Sequence, residues 1–145
     1  MKKIIALVSI LLGAASALAH RGPHHPPVPP TSDVLCATAY ASAYRSEEGP
    51  ALPVYSGTAI SDLNRVRMPQ TYNNWDNKIS LVVVEPGCKF VGYQYQNYNV
   101  DYRSGEVLRG FKVIVDNTDS SEATHRYLGH YKDDRISSLK CQCAE

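Results

Sequence analysis

The apolar positions of this chain fall in short runs, rich in Val, Ile, Leu and Tyr, and no stretch of ten residues holds a clean helical stripe. "ISLVVVE" (79–85), "CKFVGYQY" (88–95), "VLRGFKVIV" (107–115) and "ISSLKCQC" (136–143) are bounded by Gly, Pro, Asn or Asp, the pattern of short antiparallel strands. Pro86-Gly87 makes the first two of these a hairpin or a corner. "CATAYASAYR" (36–45) has no marked start cap and reads as a first strand. "DNTDSSEATH" (116–125) is polar and turn-forming, and reads as a surface loop. Ten tyrosines against two phenylalanines suit a small sheet protein whose aromatics keep one wet end. The expected fold class is all-β.

The beginning of the chain breaks this pattern. Residues 1–19 carry Lys2 and Lys3, then "IIALVSILLGAASALA", with Ala17-Leu18-Ala19 as a small-x-small cleavage pattern. This is the make-up of a signal peptide, too short in its apolar run to span a bilayer, so the expected localisation is secreted. Residues 20–35 include "HRGPHHPPVPP", which favours an extended polyproline-like arm. Its histidines offer a copper or zinc site as a competing use, with His20 as an N-terminal chelator. The domain proper is expected over 36–145.

The formal charge is +1 and drops by two once Lys2 and Lys3 are removed, so no electrostatic footprint for nucleic acid or an anionic membrane is present. Cys36, Cys88, Cys141 and Cys143 are an even set in an exported chain, which favours two disulfides over a zinc site. A Cys141–Cys143 bridge would strain a very small ring. Cys36 and Cys88 are each expected to join one of the C-terminal pair, in either combination.

A six-residue order occurs twice: Asp76-Asn77-Lys78-Ile79-Ser80-Leu81 and Asp133-Asp134-Arg135-Ile136-Ser137-Ser138. Upstream, Tyr55 precedes Ile60 and Asp62 at the spacing by which Tyr93 precedes Tyr98 and Val100. Such recurrence implies a duplicated unit that buries its apolar face against its copy. On these residues the chain resembles the βγ-crystallin family, in which two Greek-key motifs form a β-sandwich. Each of that family's motifs ends in an acid or amide pair, two variable residues, Ser or Thr, and Ser. The second copy here matches throughout, and the first has Leu81 for the last Ser. The family's hairpin glycine would fall at Asp62 and Val100. Forty residues separate Tyr93 from Asp133 against 21 from Tyr55 to Asp76, so the resemblance places an insertion near 116–125.

The repeated motif offers oxygen donors alone, which suits Ca²⁺, a hard cation that takes six to eight oxygens. The candidate metal ligands are Asp133, Asp134 and Ser137, and Asp76, Asn77 and Ser80. The resemblance implies that loop carbonyls around 56–57 and 94–96 complete two weak sites, with Ile79 and Ile136 facing the core. No G-x-S-x-G, H-E-x-x-H or P-loop motif is present, and His125 and His130 sit in or near the polar segment, so no enzyme is expected. Trp75 reads as a core anchor, with a carbohydrate platform as the alternative, and Glu47-Glu48 as solvated turn residues. The expected role is that of a secreted, calcium-binding structural or stress-protective protein, its protein or carbohydrate partner unknown. The alternative is a toxin-like binding module, antimicrobial or protease-inhibiting, that presents 116–125.

Overall fold

The computed structural model describes residues 32–41 and 49–144. The signal-like segment 1–19, most of the Pro/His arm with His20, and Glu47-Glu48 lie outside the described residues. Among the described residues, eight strands form two four-stranded antiparallel sheets: β1 (Leu35–Tyr40), β2 (Ala51–Tyr55), β3 (Ala59–Ile60), β4 (Leu81–Val84), β5 (Cys88–Tyr93), β6 (Lys112–Asn117), β7 (Thr124–Tyr127) and β8 (Ser138–Cys143). Their orders are β2-β1-β4-β7 and β3-β8-β5-β6. β1 to β4 make one Greek key and β5 to β8 the other, and each key lends its third strand, β3 or β7, to the edge of the other key's sheet.

The strand sequences follow from these positions. β4 is central and wholly apolar, all four residues of Leu-Val-Val-Val being buried, whereas β8, also central, buries Ser138, Leu139 and Cys141 and exposes Lys140 and Gln142. β6 is an edge strand and alternates strictly, with Val113, Val115 and Asn117 inward and Lys112, Ile114 and Asp116 outward. Between the sheets pack Trp75, Phe90, Leu63, Ile79, Ile136 and Leu139, all at 0% exposure. Each aliphatic side chain there contributes about 1.5–3 kcal/mol of burial. Ile79 and Ile136 thus occupy equivalent core positions. Trp75 is a core anchor, and its complete burial excludes a stacking platform.

Pro86-Gly87 is a corner, not a hairpin, because β4 and β5 belong to different sheets. Gly87 adopts φ 75°, and its N–H donates to the carbonyl of Asn117 at 2.9 Å. The Asn117 side chain is buried and closes the same corner. Its amide donates to the carbonyls of Val84 and Glu122, both at 2.9 Å, and its Oδ1 accepts from the Thr124 hydroxyl at 2.6 Å.

Several expectations shift. The strand expected over 107–115 begins at Lys112, with Val107 making a single bridge to Val100. The segment 116–125 is not a projecting loop: its ends belong to β6 and β7, and 118–123 forms the turn between them. The repeat is also phased differently. Ser80 donates its N–H to the Tyr40 carbonyl and Ser137 to the Tyr93 carbonyl, each at 2.9 Å. Tyr40, not Tyr55, is therefore the counterpart of Tyr93. The long element of the second half is the β5–β6 connection, 94–111, against 41–50 in the first. Asp62 is no hairpin position: it caps the 3₁₀ turn Leu63–Arg65, accepting from the Asn64 N–H at 3.0 Å.

The cysteines form Cys36–Cys141 and Cys88–Cys143. The first joins β1 of one sheet to β8 of the other, and the second joins neighbouring strands within one sheet.

Candidate metal centre

The two copies of the acid–Ser motif lie at the entries to β4 and β8 and face each other about a local pseudo-twofold. Asn77 donates its N–H to the Ile136 carbonyl at 3.1 Å, and Asp134 donates its own to the Ile79 carbonyl at 3.2 Å. Both residues take the left-handed conformation, with φ 53° at Asn77 and 52° at Asp134. Asn and Asp tolerate that region better than other residues with a Cβ, which is one physical reason for this residue type at the second motif position.

The left-handed turn directs each second-position side chain across to the other motif's serine. The Ser80 hydroxyl lies 3.3 Å from Asp134 Oδ1, and the Ser137 hydroxyl 3.5 Å from Asn77 Oδ1. Each corner thus draws one side chain from each half. The sequence grouped Asp76, Asn77 and Ser80 as one ligand set and Asp133, Asp134 and Ser137 as the other. The structure exchanges the serines between the sets.

The electrostatics of both corners are unsettled by protein groups alone. Asp76 Oδ1 and Asp133 Oδ1 are buried and meet no hydrogen-bond donor. A buried carboxylate oxygen without a donor is costly, and native proteins rarely leave one so. The basic residues next to the acids look elsewhere. Arg135 and Lys132 lie over the Phe111 ring at 5.6 and 5.8 Å, and Arg135 also donates to the Tyr131 carbonyl at 3.2 Å. The ion pairs among the described residues, Arg65–Asp62 and Lys89–Asp116, involve none of the motif acids. The second oxygen of Asp76, Oδ2, accepts from the Asn77 amide at 3.0 Å, which turns Asn77 Oδ1 toward Ser137. Two oxygen-lined corners result, one centred on Asp134 and Ser80, the other on Asn77 and Ser137.

The neighbouring loops sort differently from expectation. Ser137 sits against Tyr93, so the segment from Gln94 flanks the Asn77 corner. Ser80 sits against Tyr40, so the end of β1 flanks the Asp134 corner. Ser56 and Gly57 instead lie beside the far end of β8, where the Gly57 N–H donates to the Cys141 carbonyl at 3.0 Å and Ser56 Oγ accepts from the Cys143 N–H at 3.0 Å. They belong to neither corner. Sequence spacing missed this because it phased the repeat on Tyr55.

Among the described residues, the group of three or more His, Cys, Asp or Glu ligand atoms in mutual reach is Cys36, Cys88 and Cys143, and all three are oxidised. No thiolate is left there for zinc. His125 and His130 are exposed. No helix among the described residues is long and apolar enough to cross a membrane.

No protein-family model matches the sequence, and no curated protein matches it. Solved structures do. One, from work on the evolution of the eye lens βγ-crystallin domain fold, is 15% identical with a TM-score of 0.52, and the match covers 83% of this chain and 98% of that one. A second, a mutant βγ-crystallin domain from Clostridium beijerinckii, is 18% identical with a TM-score of 0.48, covering 74% of this chain and 97% of that one. At such identity the likeness establishes the fold. This chain has the βγ-crystallin fold, two antiparallel sheets with paired Greek keys.

Proposed function

We propose that this protein, built on the βγ-crystallin fold, is a secreted, non-enzymatic domain that binds Ca²⁺ at the two cross-braced corners and uses the ion to hold its halves together. The observation that carries the reading is the pair of buried, donor-less oxygens, Asp76 Oδ1 and Asp133 Oδ1, each on the residue preceding the side chain that meets the opposite motif's serine. A hard cation with a high coordination number satisfies such oxygens. The residues that would hold it are Asp134, Asp133 and Ser80 at one corner, and Asn77, Asp76 and Ser137 at the other. The first corner carries more negative charge and binds more tightly. Extracellular modules work with sites of about 10⁻⁴–10⁻³ M, filled continuously outside the cell. The two disulfides accord with an oxidising compartment.

Calcium that binds only the folded state stabilises it by about 2.7 kcal/mol per site at a hundredfold excess over Kd. Calorimetric titration of the metal-stripped protein, with thermal melts in EDTA and in Ca²⁺, tests this. Two binding events and a raised Tm are expected. Asp134→Ala should remove the tighter event and Asn77→Ala the weaker. A flat titration with an unchanged Tm takes calcium out of the account.

A further inference from the structure

The β5–β6 connection holds features that the metal corners do not explain. Gln96–Asn99 is a left-handed turn, with φ 51° at Asn97, 60° at Tyr98 and 63° at Asn99. Consecutive non-glycine residues in that region are strained, and such strain collects at functional sites. The surroundings hold it in place. Asn97 donates its N–H to the Ser61 carbonyl at 2.7 Å, and Tyr98 to the Ser138 hydroxyl at 3.0 Å. Asn99 is buried, accepting from the Tyr95 N–H at 2.8 Å and donating to the Phe111 carbonyl at 3.1 Å. Gly110 lets Asn99 and Tyr95 approach, since a Cβ there would meet both at 2.8 Å.

The connection is therefore tied down, yet it leaves Tyr95 40% and Tyr102 56% exposed. Both tyrosines line a cavity of about 310 Å³ together with Gln96, Asn97, Asp101 and Ser137. Arg103 fixes Tyr102, donating Nε–H to its hydroxyl at 2.8 Å and lying 5.4 Å from the ring centroid. Asp101 is fixed too: its Oδ1 accepts from the N–H groups of Arg103 at 2.7 Å and Ser104 at 2.9 Å, and Oδ2 takes no part in that cradle.

We propose that this cavity binds a neutral oligosaccharide. The tyrosine rings offer flat apolar surface for the C–H faces of sugar rings, and the amides, Ser137 hydroxyl and Asp101 carboxylate suit hydroxyl-rich ligands. Asp101 is the one charged residue in the lining, and the Arg103 guanidinium beside Tyr102 offsets it, so the site has no net charge to select an ion. The volume lies at the small end of the range for ligand cavities, room for one or two sugar rings. Ser137 is shared with the metal corner, but the other walls belong to the β5–β6 connection or its edges. Because that segment also flanks the Asn77 corner, binding is measured with and without calcium so that the two readings fail separately.

The test is an amide-resolved NMR titration of the oxidised protein with cellotriose, triacetylchitotriose and maltotriose, each to about 10 mM, in EDTA and again in Ca²⁺. At least one trisaccharide should shift amides confined to 94–110 and Ser137, in EDTA as well as in calcium. Tyr102→Ala should weaken binding about tenfold, the loss of one stacking contact, and Tyr102→Phe should retain it. If Tyr102→Ala perturbs the fold, Leu108→Trp, which fills the cavity, should abolish the shifts while Lys89→Ala leaves them intact. No response to any of the three sugars, shifts centred elsewhere, or unchanged affinity in Tyr102→Ala or Leu108→Trp overturns the proposal. A protein that binds sugar but not calcium overturns only the metal reading.

Discussion

At the scale of single residues, Asp134 combines two demands. Its backbone must be left-handed, and its side chain must reach Ser80 in the opposite motif. Glycine meets the first demand and not the second. Asp134→Gly should therefore leave metal-free stability within about 1 kcal/mol of the parent while removing the calcium increment from that corner. Asp134→Val, which resists positive φ, should lose about 1–2 kcal/mol even in EDTA. Urea denaturation of the three proteins with and without Ca²⁺ separates backbone from ligand effects, and an Asp134→Gly variant that keeps the full calcium response would contradict the assignment. The identity of this residue was legible in the sequence, because an oxygen-bearing pair followed by Ser is a local pattern. Its partner was not. Pairing Ser80 with Asp134 is a contact across 54 positions, fixed by how the halves face each other.

At the scale of elements, the β5–β6 connection has a pH-sensitive joint at Asp101. The N–H of Ser104, and next that of Arg103, hold the Asp101 carboxyl below the ordinary carboxylate range. The folded-state pKa is depressed, so the anchoring is complete above the ordinary unfolded value of about 3.9 and is lost as pH falls through the lower folded value. An NMR pH titration should give Asp101 a midpoint below about 3.9, with the Arg103 and Ser104 amides moving in step. A midpoint at or above that value would show that the cradle is not formed. This connection was also the hardest part to read. Val107 to Val115 looked like one apolar strand, but Leu108 is tied into the loop, its N–H on the Asn99 carbonyl at 2.7 Å, and Phe111 packs against the margin of the core. The strands β4, β5 and β8 were legible through their apolar positions, continuous in β4 and alternating in β5 and β8. β2, β3 and β7 were not, since edge strands of two to five residues carry little periodic signal.

At the scale of the whole molecule, the two disulfides interleave along the chain, with separations of 105 and 55 residues. Cys36–Cys141 crosses between the sheets and closes the longer loop, so its removal should cost more. The Cys36→Ala, Cys141→Ala variant should lose about 3–5 kcal/mol, and the Cys88→Ala, Cys143→Ala variant less. Chemical denaturation under non-reducing conditions checks the order, and equal losses would show that loop length does not govern the effect. The sequence narrowed the pairing to two combinations and stopped there, for a geometric reason. The sulfurs of Cys36, Cys88 and Cys143 lie within 4.8 Å of one another, so which pair closes depends on the register of β5 against β8.

The exchange of β3 and β7 between the sheets has a consequence for biogenesis. Residues 32–87 by themselves lack the neighbour that β3 needs and the strand that covers the open side of β4, and both arrive with the second half. A nascent chain emerging from its synthesis machinery has nothing stable to fold into until β8 is nearly out. The final strand, β8, then gives β3 its hydrogen-bonded neighbour and supplies the last two thiols. Assembly becomes a single late event, in which both disulfides close only once the last strand is in place.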